Sequence, residues 1–571
     1  MTKNWKLKEK ISHDPEQDLV QKYDPVILKL LFDRGLFSQE KIENFFSADY
    51  ATLPEGENIS GMLEAVSRIV LAKTKKERIA IFGDYDADGV TATALLFEIL
   101  SSLGLTDVTY YIPDRQLEGY GMNEKALEFL AADGVKLIIT VDSGITNATE
   151  VEKAKNLGID VIITDHHHAP EILPKAVAVI NPHLENSGFA FADLAGVGVA
   201  FKLAQALTQK LAPEKMDQLK WLLDLVAIGT VADCVSLLGE NRIFVKYGLV
   251  VLSKTRRIGL QEMFKVGRIE IGENSVPDTQ KIAYQIAPRI NAAGRMDHAS
   301  VSYNLIVEKD TAQARLLALD VESKNQERQK LTTEIVKEIE TRVTDNFSDK
   351  KFIYVSDPHW PVGILGLVAG KATEKFQKPI VVFQEQENEY VGSLRSIPEI
   401  NIIEKIEQCA ELLSRFGGHS QAAGVRVAKE NMEKFCTKMT ELIEADLAGK
   451  EIISTLLIDA EVSVQDINWE FMTELKKIEP FGMGNKEPIF MLRGMRISDV
   501  RMVGNGTKHL KMALKSDAGG PQVFDAIGFK LGAEFPDLKK DDLIDVVFTL
   551  SEDEWNGTKK MQLKLIDLKL V

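Results

Sequence analysis

The sequence predicts an α/β protein: a parallel-sheet domain, a long helix joining it to a second α/β domain, and a β-barrel toward the carboxyl end. Three observations predict this. Between about 76 and 235, short and nearly continuous apolar runs alternate with longer amphipathic stretches, the pattern of a parallel sheet covered on both faces. From about 311 to 345, apolar residues recur at helical spacing without a break. From about 452 onward, short alternating segments are separated by glycine turns, as in a small barrel.

Taken in order, residues 1–75 read as helical. In "DPVILKLLFDRGLFSQEKIENFF" the apolar positions keep helical spacing and Gly35 breaks the run, which serves packing rather than chemistry. Residues 76–300 form the first α/β domain, with strands expected at "RIAIF", "DVTYYI", "KLIITV", "DVIIT" and "AVAVI". Its last part, 236–300, is mixed and punctuated by Pro288 and Gly294. Residues 301–345 hold the long helix, with Leu331, Ile335, Ile339 and Val343 on one stripe after the polar "KNQERQK". It is either a rigid connector or a helix of the next domain. The second α/β domain, 346–450, carries "KFIYVS", "KPIVVF" and the glycine-rich "RFGGHSQAAG". The barrel, 451–571, includes "PQVFDAIGFK" and "LIDVVFTL".

Composition narrows the function. A chain of 571 residues is too long for one core. A net charge of −16 weighs against broad binding to duplex nucleic acid, so a polyanionic partner must be met locally by a few placed arginines. The three cysteines, Cys234, Cys409 and Cys436, have neither metal-knuckle spacing nor a disulfide framework. No apolar run reaches the roughly 18 residues needed to span a bilayer. The amino-terminal residues lack the apolar core of a secretory signal, and the expected location is the cytoplasm.

Chemistry gathers at the strand ends, where open sheets of this kind bind ligands. Asp84, Asp86 and Asp88 follow "RIAIF", and alternation along an extended segment would direct all three to one side. Asp142 follows "KLIITV"; Asp165, His166, His167 and His168 follow "DVIIT"; Asp233 ends "LLDLVAIGTVAD". Alone, the first trio could be a solvated acidic turn. An EF-hand loop would need a glutamate at its twelfth position, where Leu95 stands. An oxygen-rich set with one or two imidazoles suits Mn²⁺, or Mg²⁺ if the histidines stay outside the first shell, better than zinc. Two such ions sharing a bridging carboxylate lower the pKa of water and clamp a phosphoester. Phosphoryl hydrolysis is the chemistry this inventory fits.

These residues resemble a known family. "DYDADG", "VDSG", "DHH" and "GTVADCV" are similar to the four motifs of the DHH phosphoesterase superfamily. "IPDRQLEGYGMN", "APRINAAGRM", "GSLRS", "RFGGHSQAAG" and "PFGMGNKEP" narrow the resemblance to its branch of single-strand-specific exonucleases. The resemblance implies a DHH domain, a DHHA1-like second domain and a barrel of the oligonucleotide-binding type. It implies metal ligands at Asp86, Asp88, Asp142, His166 and Asp233, with Asp84 and His167 supporting them or completing a second ion site. Ser393, Arg395, Gly418 and His419 would reach substrate phosphate from the second domain. Arg115, Arg289 and Arg295 would gather phosphates at the 5′ end, and Tyr120 would offer a stacking face. Lys508, Lys511 and Trp555 are the candidate barrel surface. Pro361 departs from the pattern, since a histidine often follows the tryptophan there. The implied activity is metal-dependent, 5′-to-3′ exonucleolysis of single-stranded DNA to 5′-mononucleotides with Mn²⁺ or Mg²⁺, two ions being expected, in recombination and repair. Helicase and single-strand-binding protein are possible partners of an otherwise monomeric enzyme. Turnover of short oligonucleotides or cyclic dinucleotides is the alternative activity, and a non-catalytic scaffold the alternative of another class.

Overall fold

The five predicted strands of the first domain are β1 (Arg78–Phe82), β2 (Val108–Tyr111), β3 (Val135–Val141), β4 (Asp160–Thr164) and β5 (Ala178–Ile180), and they form one sheet in the order β2-β1-β3-β4-β5. Every pairing in it is parallel. The computed structural model describes residues 3–9, 17–347, 350–450, 455–504, 508–517, 522–555 and 558–571, the side chains of Glu57, Asn346, Glu554, Trp555 and Thr558 excepted. Among these, two compact units separate: Leu53–Val235 with Phe244–Ile452, and Met1–Thr52 with Ser236–Ile243 and Ile453–Val571.

In the first of these units, β1 and β3 are neighbours although not consecutive, so the connections leaving them diverge and open a crevice beyond their carboxyl ends. The sheet is buried on both faces, which explains its unalternating apolar strands. Ala80, Phe82, Ile138, Val161 and Ile163 pack one core against Leu127, Leu130 and Val151. α1 (Ala87–Ser102) is buried nearly all round, as its "ADGVTATALL" demands.

Further helices complete the domain: α2 (Gly196–Leu211), α3 (Leu223–Ala232) and α4 (Ala287–Met296). Then α5 (Thr311–Asn346) runs for 36 residues from its Asp310 cap. Both sequence readings of this helix hold in part. Its first half buries Ala314, Ala318 and Val321 and is tied to the first domain by Arg289–Glu322 and Lys324–Asp297 ion pairs. Its second half buries Ile335, Ile339 and Val343 against Ile353, Val355, Ile364 and Val368 of the second.

That second domain includes β6 (Ile353–Asp357), α6 (Val362–Phe376), β7 (Ile380–Glu385), β8 (Glu389–Arg395), β9 (Leu413–His419), β10 (Ala422–Ala428) and α7 (Met432–Asp446). The sheet order is β9-β10-β8-β7-β6, with only β6–β7 parallel.

The other unit contains a closed five-stranded barrel of β11 (Phe490–Val503), β12 (His509–Ser516), β13 (Val523–Gly528), β14 (Leu543–Trp555) and β15 (Thr558–Leu570). The ring runs β11-β12-β13-β15-β14 and closes where β14 pairs with β11. Its core is shared with amino-terminal residues Leu19, Ile27, Leu31, Ile42 and Phe45. The helical region read as 1–75 therefore divides after Thr52, and the helix Met62–Lys75 belongs to the first domain. Arg242 is nearly inaccessible in this unit. Its guanidinium lies over the Phe45 ring and donates to the carbonyls of Phe45, Lys477, Ile478 and Glu479.

Candidate active site

The acids after β1 do not converge by alternation along an extended segment. The strand ends at Phe82, and Asp86 turns the chain into α1 by capping it, accepting from the N–H groups of Asp88 (2.9 Å) and Gly89 (3.1 Å). Asp88 lies in the first turn of α1, fully buried, and accepts from two N–H groups at the start of α2: Gly196 (2.6 Å) and Val197 (2.9 Å). Helix-terminal N–H groups suit a carboxylate. This approach depends on glycine, because a Cβ on Gly196 would stand 2.5 Å from the Asp142 Cβ, and one on Gly229 would stand 2.6 Å from Asp88 Oδ1. Asp142 leaves β3 with φ of +57°, a conformation Asp tolerates better than most residues and one that turns the chain sharply at the rim.

Three overlapping groups result, and within each the donor atoms lie within 4.8 Å of one another: Asp84–Asp86–Asp142, Asp88–His166–Asp233, and Asp142–His166–His167. Shared Asp142 and His166 join them into one cluster. His166 Nε2 is 3.1 Å from Asp142 Oδ1 and 3.5 Å from Asp233 Oδ2. Asp84 Oδ1, Asp142 Oδ1, His166 Nε2 and Asp233 Oδ2 are all buried without a hydrogen bond. Orphaned buried ligand atoms of this kind call for an explanation, and an ion is the simplest.

The electrostatics point the same way. Burial, then the Asp86 charge, raises Asp84 well above the usual carboxylate range and Asp88 to about 7. Burial, then Asp88, raises Asp142 strongly and Asp233 to about 9. Burial, then His167, lowers His166 to about 4, leaving a neutral imidazole able to bind a cation. Each of these carboxylates is shifted toward its protonated form, and a divalent cation would take the place of the proton. An oxygen-rich set with neutral imidazole fits Mn²⁺ or Mg²⁺.

Asp165, which the sequence places in the strand-end set without assigning it a role, organises the histidines. Fully buried, it accepts through Oδ1 from the N–H groups of His166 and His167 and contacts His167 Nδ1 at 2.7 Å, while Oδ2 accepts from Ile145. Burial is the largest influence on His167 and lowers its pKa, but the Asp165 hydrogen bond together with the charges of Asp165, Asp84 and Asp88 outweighs it and the net shift is upward. A neutral His167 ring that donates Nδ1–H to Asp165 would keep Nε2 for a cation. The available signal is its place in "TDHHH", directly ahead of the two histidines.

The remaining predicted residues separate. Tyr120 points its hydroxyl inward, donating to the Asp142 carbonyl (3.1 Å) and lying 3.0 Å from His167 Nδ1, while the residue stays 36% exposed. Arg289 is engaged: Nε donates to Glu322, Nη1 to the Gln285 carbonyl and Nη2 to the Gly267 carbonyl. It braces α4 against α5. Arg115 lies over the Tyr85 ring at 4.7 Å, and Arg295 donates to the Gly363 carbonyl at 3.1 Å. Arg395 donates to the Leu394 carbonyl and to Ser393 Oγ. Burial lowers Arg295 to about 9, Arg115 and Arg328 adding to the effect, so the arginines crowd one another. Arg328, on α5 inside the polar run, carries a buried Nε without a partner; nothing in the sequence distinguishes it from its solvated neighbours.

His419 is exposed on the edge strand β9 and belongs to none of the three groups. Sheet register explains its place: His419 pairs with Ala422 and Ala422 with Arg395, so His419 and Arg395 share a face two strand spacings, about 10 Å, apart. The row beside it is Gly417, Gly424 and Ser393, a strip of bare backbone on the same face. Gly418 must be glycine, since its φ is +153° and a Cβ would stand 2.4 Å from the Ala422 carbonyl oxygen. Pro361 caps α6 without a side-chain hydrogen bond. Lys508 and Lys511 are exposed on the barrel, near Phe529, whose ring is 57% exposed and edge-on to His509. The side chain of Trp555 lies outside the described residues.

A parallel sheet with an acid–histidine cluster at its switch point, continued into a second α/β domain, defines the chain as a phosphoesterase of the DHH class. The DHH family, N-terminal domain, matches residues 78–230, the DHHA1 domain residues 349–445 and the RecJ OB domain residues 458–567. The chain is 36% identical over 561 residues to the single-stranded-DNA-specific exonuclease RecJ of Bacillus subtilis, covering 97% of this chain and 70% of that one. The crystal structure of RecJ in complex with Mn²⁺ from Thermus thermophilus aligns with a TM-score of 0.82 and 28% identity over 99% of this chain and 79% of that one. Its complex with Mg²⁺ aligns at 0.75 and 26% identity over 99% and 78%. The chain belongs to the RecJ family. Among the described residues no helix is long and apolar enough to cross a membrane.

Proposed function

We propose that the chain is a metal-dependent exonuclease that hydrolyses single-stranded DNA from the 5′ end and releases 5′-mononucleotides, in the service of recombination and repair. The observation that carries this reading is the set of orphaned ligand atoms of Asp84, Asp142, His166 and Asp233, gathered from separate strand and helix ends. Asp86, Asp88, Asp142, His166 and Asp233 would hold Mn²⁺ or Mg²⁺, with Asp84 and His167 completing the set. Bound there, the cations would supply Lewis acidity for water and for the phosphoryl oxygens.

The protein's own groups do the rest. Asp165 and Tyr120 fix the His167 ring, and the helix start at Gly196 and Val197 fixes Asp88. Arg115, Arg295, Arg395 and Ser393 offer donors to phosphates at the 5′ end, for which planar guanidinium is well shaped. His419 and the bare glycine strip line the second domain's face, where a phosphodiester backbone could lie close. Nothing in these contacts reads base identity. A slot between the two α/β domains would admit a single strand and exclude a duplex, and the barrel's exposed Lys508, Lys511 and Phe529 offer charge and stacking of the kind such strands use. A single-strand-specific monomer in the cytoplasm would draw on helicase and single-strand-binding protein for its substrate.

The test is release of nucleotides from end-labelled single strands with Mn²⁺. Wild type should release mononucleotides from an open 5′ end, and Asp142→Ala should abolish release while retaining strand binding. No release, or equal attack on a 5′-blocked strand, would overturn the proposal.

A further inference from the structure

Tyr120 stands between Gly119 and Gly121, whose φ values of +83° and +82° lie where glycine costs least, so its neighbours in the chain do little to fix it. The segment is held from outside. Ahead of it, Glu118 accepts from the Tyr111 hydroxyl (2.7 Å), the Asp114 N–H (2.7 Å) and the Asn123 amide (3.0 Å). Behind it, Asn147 grips Met122: Oδ1 accepts from the Met122 N–H (3.1 Å) and Nδ2 donates to the Met122 carbonyl (3.3 Å). Asn147 stands just ahead of the helix Ala148–Asn156, where asparagine ordinarily caps, yet its side chain makes no capping hydrogen bond. The amide is buried and turned back onto the Tyr120 loop, with Nδ2 also donating to Glu150 (3.1 Å). The approach is close, since a Cβ on Gly121 would stand 2.6 Å from Asn147 Oδ1.

We propose that Asn147 is a positioning residue that acts through Tyr120, holding that ring where it stacks a base of the bound DNA strand. The base rests on the exonuclease reading; the link between the two residues rests on the hydrogen bonds alone. Asp142 and Asn147 belong to one turn after β3, and the Tyr120 loop is stitched to it twice, by the Tyr120 hydroxyl on the Asp142 carbonyl and by Met122 on Asn147. Only Gly121 lies between the stitches. The hydroxyl is spent inward, which leaves the ring as the exposed part of the tyrosine. An aromatic face serves best as a stacking platform when it is immobile beforehand, because less freedom is lost on binding. Without the Asn147 amide, the N–H and carbonyl of Met122 would be unpaired in the core, and the loop would have to move to find them water. The diverted cap is thus explained by what it holds.

The test is a double-mutant cycle on DNA binding, read by the anisotropy of an oligothymidine carrying fluorescein at its 3′ end, in EDTA so that no hydrolysis intervenes. Tyr120→Ala should weaken binding roughly tenfold, the size of one base stack, and Asn147→Ala by about as much. The double variant should bind no worse than Tyr120→Ala alone, because one residue acts through the other. Losses that multiply, an Asn147→Ala chain that binds as wild type does, or a wild type that binds no DNA would each overturn the proposal. The link is also read without DNA, by fluorine NMR of the chain labelled with 3-fluorotyrosine. The Tyr120 resonance, identified by its loss in Tyr120→Phe, should move in Asn147→Ala while that of Tyr303 stays; an unmoved Tyr120 resonance overturns the link. Asn147→Asp keeps the acceptor for the Met122 N–H but loses the donor to its carbonyl, so it should move the same resonance and serves if the alanine variant does not fold. A wild type that binds DNA without degrading it would sink the exonuclease reading and leave this proposal standing.

Discussion

Replacing Gly196 with alanine tests whether the cluster depends on the close approach of α2. Gly196 is the first residue of a helix and has no positive φ, so alanine would ordinarily be favoured there. The contact decides otherwise: the new Cβ would stand 2.5 Å from Asp142 Cβ and 2.6 Å from Asp142 Oδ1, where carbon atoms rest at about 3.5–4.0 Å. The helix start must retreat by about 1 Å, which carries the N–H groups now 2.6 and 2.9 Å from Asp88 to or beyond hydrogen-bond range. Overpacking costs roughly 1–3 kcal/mol and a lost hydrogen bond to a charged group roughly 1.5–3 kcal/mol. Together these imply a destabilisation of about 3–5 kcal/mol and a loss of about 10–100-fold in Mn²⁺ affinity, the usual effect of removing support behind a ligand. Calorimetric Mn²⁺ titration and thermal melts in EDTA measure both. The matched control is Gly370→Ala in α6, where a Cβ meets nothing within 4 Å and helix propensity should stabilise by up to about 1 kcal/mol. Wild-type Mn²⁺ affinity and melting in Gly196→Ala would refute the reasoning.

Three further outcomes follow from the same geometry. Asp165→Asn removes the carboxylate that raises His167, so in EDTA the His167 imidazole should titrate lower by NMR, with metal affinity falling about 10–100-fold; an unchanged titration would contradict the assigned contact. Between pH 7 and 9 the metal-free chain should lose stability as pH rises. Folded Asp88 and Asp233 release protons near 7 and 9, whereas unfolded carboxylates have released theirs near 4, so the unfolded state binds fewer protons. The raised His167 acts in the same direction, His166 titrates below this window, and saturating Mn²⁺ should flatten the slope in thermal melts. Arg242→Met strips donors from four carbonyls in the barrel unit and should destabilise it by roughly 3–5 kcal/mol in denaturant titration; a change under about 1 kcal/mol would show that the buried guanidinium is dispensable.

Much of the site could be read from the chain because a parallel sheet sends every carboxyl end to the same rim. Asp142 and His166 fall at the ends of adjacent strands, and the apolar runs ahead of them fix where those ends are. The reason Asp84, Asp86 and Asp88 converge was not legible, since "DYDADG" carries no mark of where strand yields to helix; the capping by Asp86 decides it. Arginines were the least readable. Arg289 and Arg295 lie six residues apart on one helix, yet one is consumed by Glu322 and the other faces a cavity, a difference set by α5 from far along the sequence. Arg328 shows the converse, a residue inside an ordinary polar run whose burial exists only after folding. The sharing of a core between the amino-terminal helices and the barrel was equally hidden, because amphipathic periodicity reveals that a face is covered but not by what.

The 36-residue rod embedded in both α/β domains acts as a screw thread between them. Adding one residue near its middle would advance the second domain by about 1.5 Å and rotate it by about 100°, swinging Arg395 away from Arg115 of the first. Only length changes near whole turns, such as seven or eleven residues, would keep the two faces aimed at each other. The separation and orientation of the two domains are therefore set in steps by helical pitch rather than continuously.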